Sequence, residues 1–289
     1  MTGQATAVAH GAATIVNAMA FGKGAAFGVD LYTKAQVKLT DEPGIVKAEI
    51  ASDPKESTDL MEKTVVRVLQ QFNAEKRFGA KVKTWSNIPI AKGLKSSSAA
   101  ANAVALATTA ALGAMEDDFR IINLGVDAAF AAKVTVTGAF DDACASYFGG
   151  IVVTDNLERK IVARLPLTED LVVLFHVPAQ KAYSGNSNVE RLKTVKPLVQ
   201  VAYEEALGGK IWEALTLNGL IYSSVWGYDS SIALDALDAG ASAAGLCGKG
   251  PAVTAVTPKD KVDSVRAVFQ KFGGEVLQTS FNQEKAKVI

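Results

Sequence analysis

Three successive serines, Ser96-Ser97-Ser98, follow Gly93-Leu94-Lys95 and open an alanine-rich run. Serines at the start of a helix put their hydroxyls beside free backbone N–H groups and the positive end of the macrodipole. That arrangement binds phosphate, and a serine hydroxyl can also reach a bound Mg²⁺. Capping alone needs one serine, so three in a row lean toward a phosphate site rather than a plain cap. The pattern is not a Walker A loop, which requires G-x-x-x-x-G-K-[ST]. The pairs Gly22-Lys23, Gly209-Lys210 and Gly248-Lys249 lack both the upstream glycine and the following Ser/Thr.

Two other segments carry chemistry. In Thr137-Gly-Ala-Phe-Asp141-Asp142-Ala-Cys-Ala-Ser146, adjacent carboxylates sit in apolar surroundings. Buried charge is costly unless paired or used. One aspartate capping a helix and one accepting a substrate hydroxyl proton are equally good readings of this segment alone. In Gly245-Leu-Cys247-Gly248-Lys249-Gly250-Pro251-Ala252, three glycines in six residues suit a tight turn or a backbone passing close to a ligand.

These segments need elements to hold them. Alternation over Thr33–Thr40 and Ile45–Ile50 predicts two strands, joined as a hairpin through Asp41-Glu42-Pro43-Gly44. Met61, Val65, Val68 and Phe72 recur at helical spacing, with Ser57 as the expected N-cap. Ala80–Ser86 reads as a strand, and the serine motif joins it to a helix over about Ser98–Leu112. In the second half, Leu171–Val177 reads as a strand buried on both faces. Helices are expected near Val189–Leu207, Ile211–Ser224, Ser230–Ala239 and Lys261–Phe272, with strands at Ala252–Thr257 and Glu275–Phe281. The polar stretch Leu165–Asp170 marks the expected boundary between domains 1–166 and 167–289.

The chain's 289 residues suit two modest domains, and 49% hydrophobic residues allow a sizeable core. Thirty basic residues balance thirty acidic ones, so there is no electrostatic case for nucleic acid or an anionic membrane. Two cysteines without a CxxC motif, and only His10 and His176, argue against structural zinc and suit a reducing compartment. The N-terminal stretch lacks a basic n-region, and the apolar run 171–177 is too short to span a bilayer. A cytoplasmic protein is expected.

In order and in detail, the segments resemble the three motifs of the GHMP kinases, a superfamily that includes galactokinase, homoserine kinase and mevalonate kinase. Motif one corresponds to Gly11–Asn17 running on through Phe21–Asp30. Motif two corresponds to Pro89-Ile-Ala-Lys92-Gly93-Leu94-Lys95-Ser96-Ser97-Ser98-Ala99, against P-x-x-x-G-L-x-S-S, and motif three to Gly245–Ala252. Thr-Ile-Val-Asn17, Gly22-Lys23-Gly-Ala-Ala-Phe-Gly28, Gly-Ala-Phe-Asp-Asp-Ala143 and Cys247-Gly-Lys-Gly-Pro-Ala-Val253 are similar to the archaeal-type shikimate kinases within it. The chain departs from mevalonate kinase at Ala13, where that enzyme has lysine, and at Met19-Ala20, where it has Glu-His.

The resemblance implies an α+β, two-domain fold: an N-terminal domain like domain 2 of ribosomal protein S5 and a ferredoxin-like C-terminal domain, with the active site between them. It implies ATP, Mg²⁺ and shikimate as the reacting partners. Nucleotide binding would fall to Pro89, Lys92, Gly93, Leu94, Lys95, Ser96, Ser97, Ser98 and Ala99, with Ser97 reaching the metal. Substrate binding would fall to Asn17, Lys23, Gly248, Lys249 and Gly250. Asp142, with Ser146 four and Gly149 seven residues on, fits the family's catalytic aspartate. The upstream Gly-x-x-Asp spacing fits Asp141 instead. Asp127 is the nearest counterpart of the family's acidic metal ligand. A carboxylate-bearing substrate needs a cation, and Lys23, Lys133, Lys181, Arg191 and Lys249 are the choices. Homoserine kinase activity and a non-catalytic binding role are the competing readings. All of them except the last require the Ser96–Ser98 helix start to lie beside the Asp141–Asp142 pair.

Overall fold

The computed structural model describes residues 3–167, 170–179 and 190–289. Two sheets carry the chain. The first has seven strands, with β1 (Gln4–Val16) and β2 (Lys23–Thr40) forming a long antiparallel pair at its centre. β4 (Gly79–Ser86) and β5 (Ile151–Asp155) both pair with β2, β3 (Val46–Ile50) with β4, and β6 (Lys160–Leu165) with β5. The second sheet runs β10 (Glu275–Thr279), β7 (Leu171–Val177), β9 (Val253–Pro258), β8 (Ala243–Leu246), all antiparallel. In chain order that is 4-1-3-2, the order of a ferredoxin-like β-α-β-β-α-β unit. The expected α+β class is the class observed.

β1 and the start of β2 carry no visible period because consecutive residues are buried: Gly11–Val16 and Gly24–Val29 have no solvent face. The expected hairpin between the strands at 33–40 and 45–50 does not form. β4 already occupies that edge of β2, from Thr33↔Ser86 to Thr40↔Gly79. β3 instead lies parallel on the far edge of β4, from Val46↔Ala80 to Ile50↔Thr84. Parallel neighbours need a crossover, and α1 (Asp59–Gln71) supplies it. Thr58, not Ser57, stands at the N-cap of α1. Its hydroxyl donates to Glu62, while Ser57 Oγ only weakly accepts from Asp59 N–H at 3.4 Å.

α2 (Ser96–Ala111) lies buried between the first sheet and α1, α3 (Asp118–Ala131) and α4 (Phe140–Phe148). Alanine-rich sequence suits this place: small side chains let the helix approach its neighbours on most of its circumference. α5 (Glu190–Leu207) and α6 (Ile211–Trp226) fill the space between the sheets. The core there joins Phe27 and Ile151 of the first sheet to Val173 and Phe175 of the second. α7 (Ser231–Asp238) and α8 (Val262–Lys271) cover the outer face of the second sheet. The chain changes sheet between β6 and β7, within the polar stretch read as a boundary. Its last residues nevertheless return: Phe281 packs on Phe27 and Trp212, and β11 (Lys287–Val288) pairs with β1.

Candidate active site

Two loops with left-handed residues aim two helix starts at one cavity of about 150 Å³. In the first loop Ala91, Gly93 and Lys95 have φ of 57°, 90° and 62°. Lys95 is the N-cap of α2 and supplies no side-chain cap. The first N–H groups of the helix are left for another partner. In the second loop Gly138 and Ala139 have φ of 81° and 49°, and Ala139 is the N-cap of α4. Ser96, Ser97, Ser98, Asp141 and Asp142 all line the cavity, with Thr14, Asn17, Val134–Thr137, Lys249 and Gly250. The run of hydroxyls and the acidic pair therefore meet. Asn102 holds the two helices together: from α2 its side-chain amide donates to Ala143 O at 2.9 Å and to Ser146 Oγ at 3.2 Å.

The two aspartates have different surroundings. Asn156 claims Asp141: its amide donates to Asp141 Oδ1 at 2.8 Å, and its Oδ1 accepts from Asp141 N–H at 3.2 Å and from Thr154 Oγ1 at 2.7 Å. Gly24 faces Asp141 Oδ2 so closely that a Cβ there would collide with it. Asp142 instead pairs with Lys95, Nζ to Oδ2 at 3.1 Å, and its Oδ1 has no partner among the described residues. Burial pushes the Asp142 carboxyl up to about 7; the Asp141 charge adds to the rise and Lys95 opposes it. Burial also raises Asp141, against Lys95 and the Asn156 hydrogen bond. Burial would depress Lys95, but Asp142, Cys247 and Asp141 together outweigh it and the ammonium titrates above its ordinary value. Lys249 is pulled down to about 8 by burial and then by Lys95.

Motif three packs directly onto motif two. Ala252 N–H donates to Lys92 O at 3.2 Å and Cys247 Sγ–H to Gly93 O at 3.1 Å; a side chain at Gly93 would strike the Cys247 carbonyl. Glycine at 93 is thus required twice, by its φ and by this approach.

The remaining sequence expectations divide. Gly248 does not line the cavity; it lies next to Lys95, whose ammonium a side chain there would strike. Pro89, Leu94 and Ala99 do not line it; Leu94 and Ala99 are buried in the core between the sheets. Nor does Lys92, whose ammonium is bound to the carbonyls of Pro178 and Ala179 at 2.5 and 2.7 Å. It ties the loop to the chain just after β7. Lys23 pairs with Asp155 at 3.3 Å, outside the lining. Asp127 is bound to Arg159 at 2.7 Å and is not in the cavity, so it is no metal ligand there. Lys133 lines a neighbouring cavity, Arg191 is exposed at the start of α5, and Lys181 lies outside the described residues. Sequence reasoning missed Asn156, Asn102 and Thr14. The first two are lone asparagines with no motif around them; Thr14 falls inside motif one and was legible only as part of it.

The neighbouring cavity, about 260 Å³, shares Ala91, Ser96, Ser97 and Val134 with the first. It continues between α1, β4 and Ala132–Val134, past Ile50, Leu60, Met61 and Ile90. A polar cavity and a more apolar one thus adjoin across a single helix N-terminus.

The GHMP kinases N terminal domain profile matches residues 59–150. The shikimate kinase of Methanosarcina mazei is 45% identical over 288 residues, covering 99% of this chain and 97% of its own length. That of Pyrococcus abyssi is 42% identical, covering 94% and 97%. Among solved structures, homoserine kinase from Cytophaga hutchinsonii superposes with a TM-score of 0.74 at 20% identity, covering 100% of this chain and 98% of that one. Methanococcus jannaschii mevalonate kinase gives 0.77 at 16%, covering 96% and 98%. The fold and the two facing helix starts are those of an ATP-dependent small-molecule kinase. The chain belongs to the GHMP kinases, in their archaeal shikimate kinase group.

Proposed function

We infer that this protein transfers the γ-phosphate of ATP to the 3-hydroxyl of shikimate, on the way to chorismate and the aromatic amino acids. The reading rests most on one observation: the open N-terminus of α2, with its three serines, and the Lys95-paired Asp142 line the same cavity. The 42–45% identity to shikimate kinases over nearly the whole chain supports the choice of acceptor.

The base of the nucleotide fits the more apolar cavity, and its triphosphate then crosses the Ser96–Ser98 helix start into the polar one. The N–H groups there and the helix macrodipole hold phosphate oxygens without reorganising. Mg²⁺ is a hard ion that takes oxygen ligands, and the exposed Ser97 hydroxyl suits it; no group of three or more His, Cys, Asp or Glu side chains among the described residues is placed to hold a metal. Held on Ser97 and the phosphates, the ion would neutralise charge on the β- and γ-oxygens. Asp142 accepts the hydrogen bond, and finally the proton, of the attacking hydroxyl. The new O–P bond forms as the bond between Pγ and the β–γ bridging oxygen breaks, and ADP leaves. Asp141, locked by Asn156, holds the start of α4 and keeps the Asp142 proton affinity high. Of the two lysines in the lining, Lys95 is paired with Asp142, and we assign the shikimate carboxylate to Lys249. Buried, unpaired thiols at Cys144 and Cys247 suit the cytoplasm, where we place the enzyme.

An ADP-release assay over a panel of acceptors tests the reading. Shikimate is expected to be turned over and homoserine not; turnover of homoserine alone moves the assignment, and nucleotide binding without any turnover ends it.

A further inference from the structure

Thr14 stands near the end of β1 with 2% of its surface exposed, and its hydroxyl is buried without a hydrogen-bond partner among the described residues. It lines the same cavity as Asp142, Lys95 and Lys249. A Cβ on Gly248 would lie 3.5 Å from Thr14 Oγ1 and 2.5 Å from Lys95 Nζ. The missing side chain at 248 thus leaves room for the Lys95 ammonium, and the Thr14 hydroxyl and the Lys95–Asp142 pair border the same cavity. A buried hydroxyl that bonds nothing in the protein costs stability unless a ligand completes it. Asn17, the other polar side chain from this strand end, is already engaged through Oδ1 with Met19 N–H. Thr14 Oγ1 has no partner among the described residues.

Resting on the reading above, we propose that Thr14 hydrogen-bonds the hydroxyl adjacent to the one that is phosphorylated, so that the site selects a vicinal diol. Asp142 takes the reacting hydroxyl, and the hydroxyl on the next ring carbon falls toward Thr14 in the same cavity. Thr14 is then a specificity-determining residue of the acceptor site, recognising a neutral hydroxyl, while Lys249 meets the anionic end.

The test pairs two acceptors with two variants. Wild type, Thr14→Val and Thr14→Ser are assayed with shikimate and with an analogue lacking only the 4-hydroxyl, and thermal midpoints are recorded. Thr14→Val removes the hydroxyl at constant shape. It is expected to lower kcat/KM for shikimate about tenfold, the worth of one hydrogen bond, with the KM for ATP unchanged. Wild type should lose a similar factor on the deoxy analogue, Thr14→Val should lose no more on it, and Thr14→Ser should keep most of the activity. The midpoint of Thr14→Val should equal or exceed that of wild type, since an unsatisfied group is gone. Unchanged kinetics in Thr14→Val, losses from variant and analogue that multiply, or a lowered midpoint with a raised KM for ATP would each overturn the proposal. Failure of wild type to turn over shikimate sinks the acceptor assignment instead. If the acceptor then found carries no vicinal diol, the Thr14 proposal falls with it.

Discussion

Lys95 Nζ lies 3.1 Å from Asp142 Oδ2, and the contact joins the residue that opens α2 to the first turn of α4. Both side chains are about nine-tenths buried, at 12% and 10% exposure. The ammonium is thus a counter-ion to the acid as well as a neighbour of the expected phosphates. It keeps a carboxylate ionisable in a place where burial opposes ionisation. One residue of the phosphate-binding motif thereby sets the chemistry of a residue 47 positions further along the chain.

Removing that charge should cost more at high pH than at low. In Lys95→Met, Asp142 loses its counter-ion and its pKa, already about 7, rises further. Above that range the carboxylate is buried and unpaired, and breaking such a pair costs about 3–5 kcal/mol. At pH 5.5 it is protonated and the loss should be much smaller. Urea unfolding of wild type and variant at pH 5.5 and 8.5 checks this, and equal losses at both would show that the pair does not govern the site.

The two aspartates should separate by kinetics. Asp142→Asn is expected to lower kcat by about 10²–10⁴, the range for losing a positioned general base. Asp141→Asn keeps a carbonyl oxygen for the Asn156 amide, and its loss should be nearer tenfold. Near-normal turnover in both would refute the assignment, and the reverse order would exchange their roles.

The pH profile should carry the same signature. Asp142 must be ionised to take a proton, so kcat/KM should fall as pH drops below about 7. Asp141→Asn removes a like charge and should move this limb to lower pH. Stability runs the other way. A carboxyl raised from 3.8 to about 7 on folding binds its proton more tightly in the native state, so its contribution to stability shrinks as pH rises between those values. An acid limb left in place in Asp141→Asn would count against coupling of the two carboxyls.

Gly248→Ala should damage activity more than stability. Its φ of 64° makes any side chain strained by about 1–2 kcal/mol. The new Cβ would also displace the flexible end of Lys95 from Asp142. A drop in kcat of tenfold or more is expected, with the unfolding free energy at pH 5.5, where Asp142 is protonated, lowered by little more than that strain; unchanged kcat would show that Lys95 has room to spare.

Much of the site was legible because its chemistry is local. A helix start needs only a few successive residues to become a phosphate site, and Gly93-Leu-Lys-Ser-Ser-Ser98 contains them all. The same holds for elements with a solvent face such as β4, α1 and α8, whose period survives in the sequence, whereas α3, α4, β5 and β6 are absent from the sequence reading. It fails where both faces are buried: Gly11–Val16 and Gly24–Val29 show no alternation, although they form the central strand pair. The hairpin expected at 33–50 failed for a related reason, since edge partners are chosen by the whole sheet and β4 took the place.

By itself, the sequence determined the family, the serine-opened helix start, the acidic pair and the glycines that let backbones close up. Only the tertiary structure decided how the two acids differ, because Asn156 and Lys95 lie 15 and 47 residues from the aspartates they engage. It also took Lys92, Lys23 and Asp127 out of the cavity lining, by partners that no local pattern specifies. Spacing along the chain states what a residue is able to do; its desolvation and its charged neighbours, which depend on contacts between distant segments, select what it does.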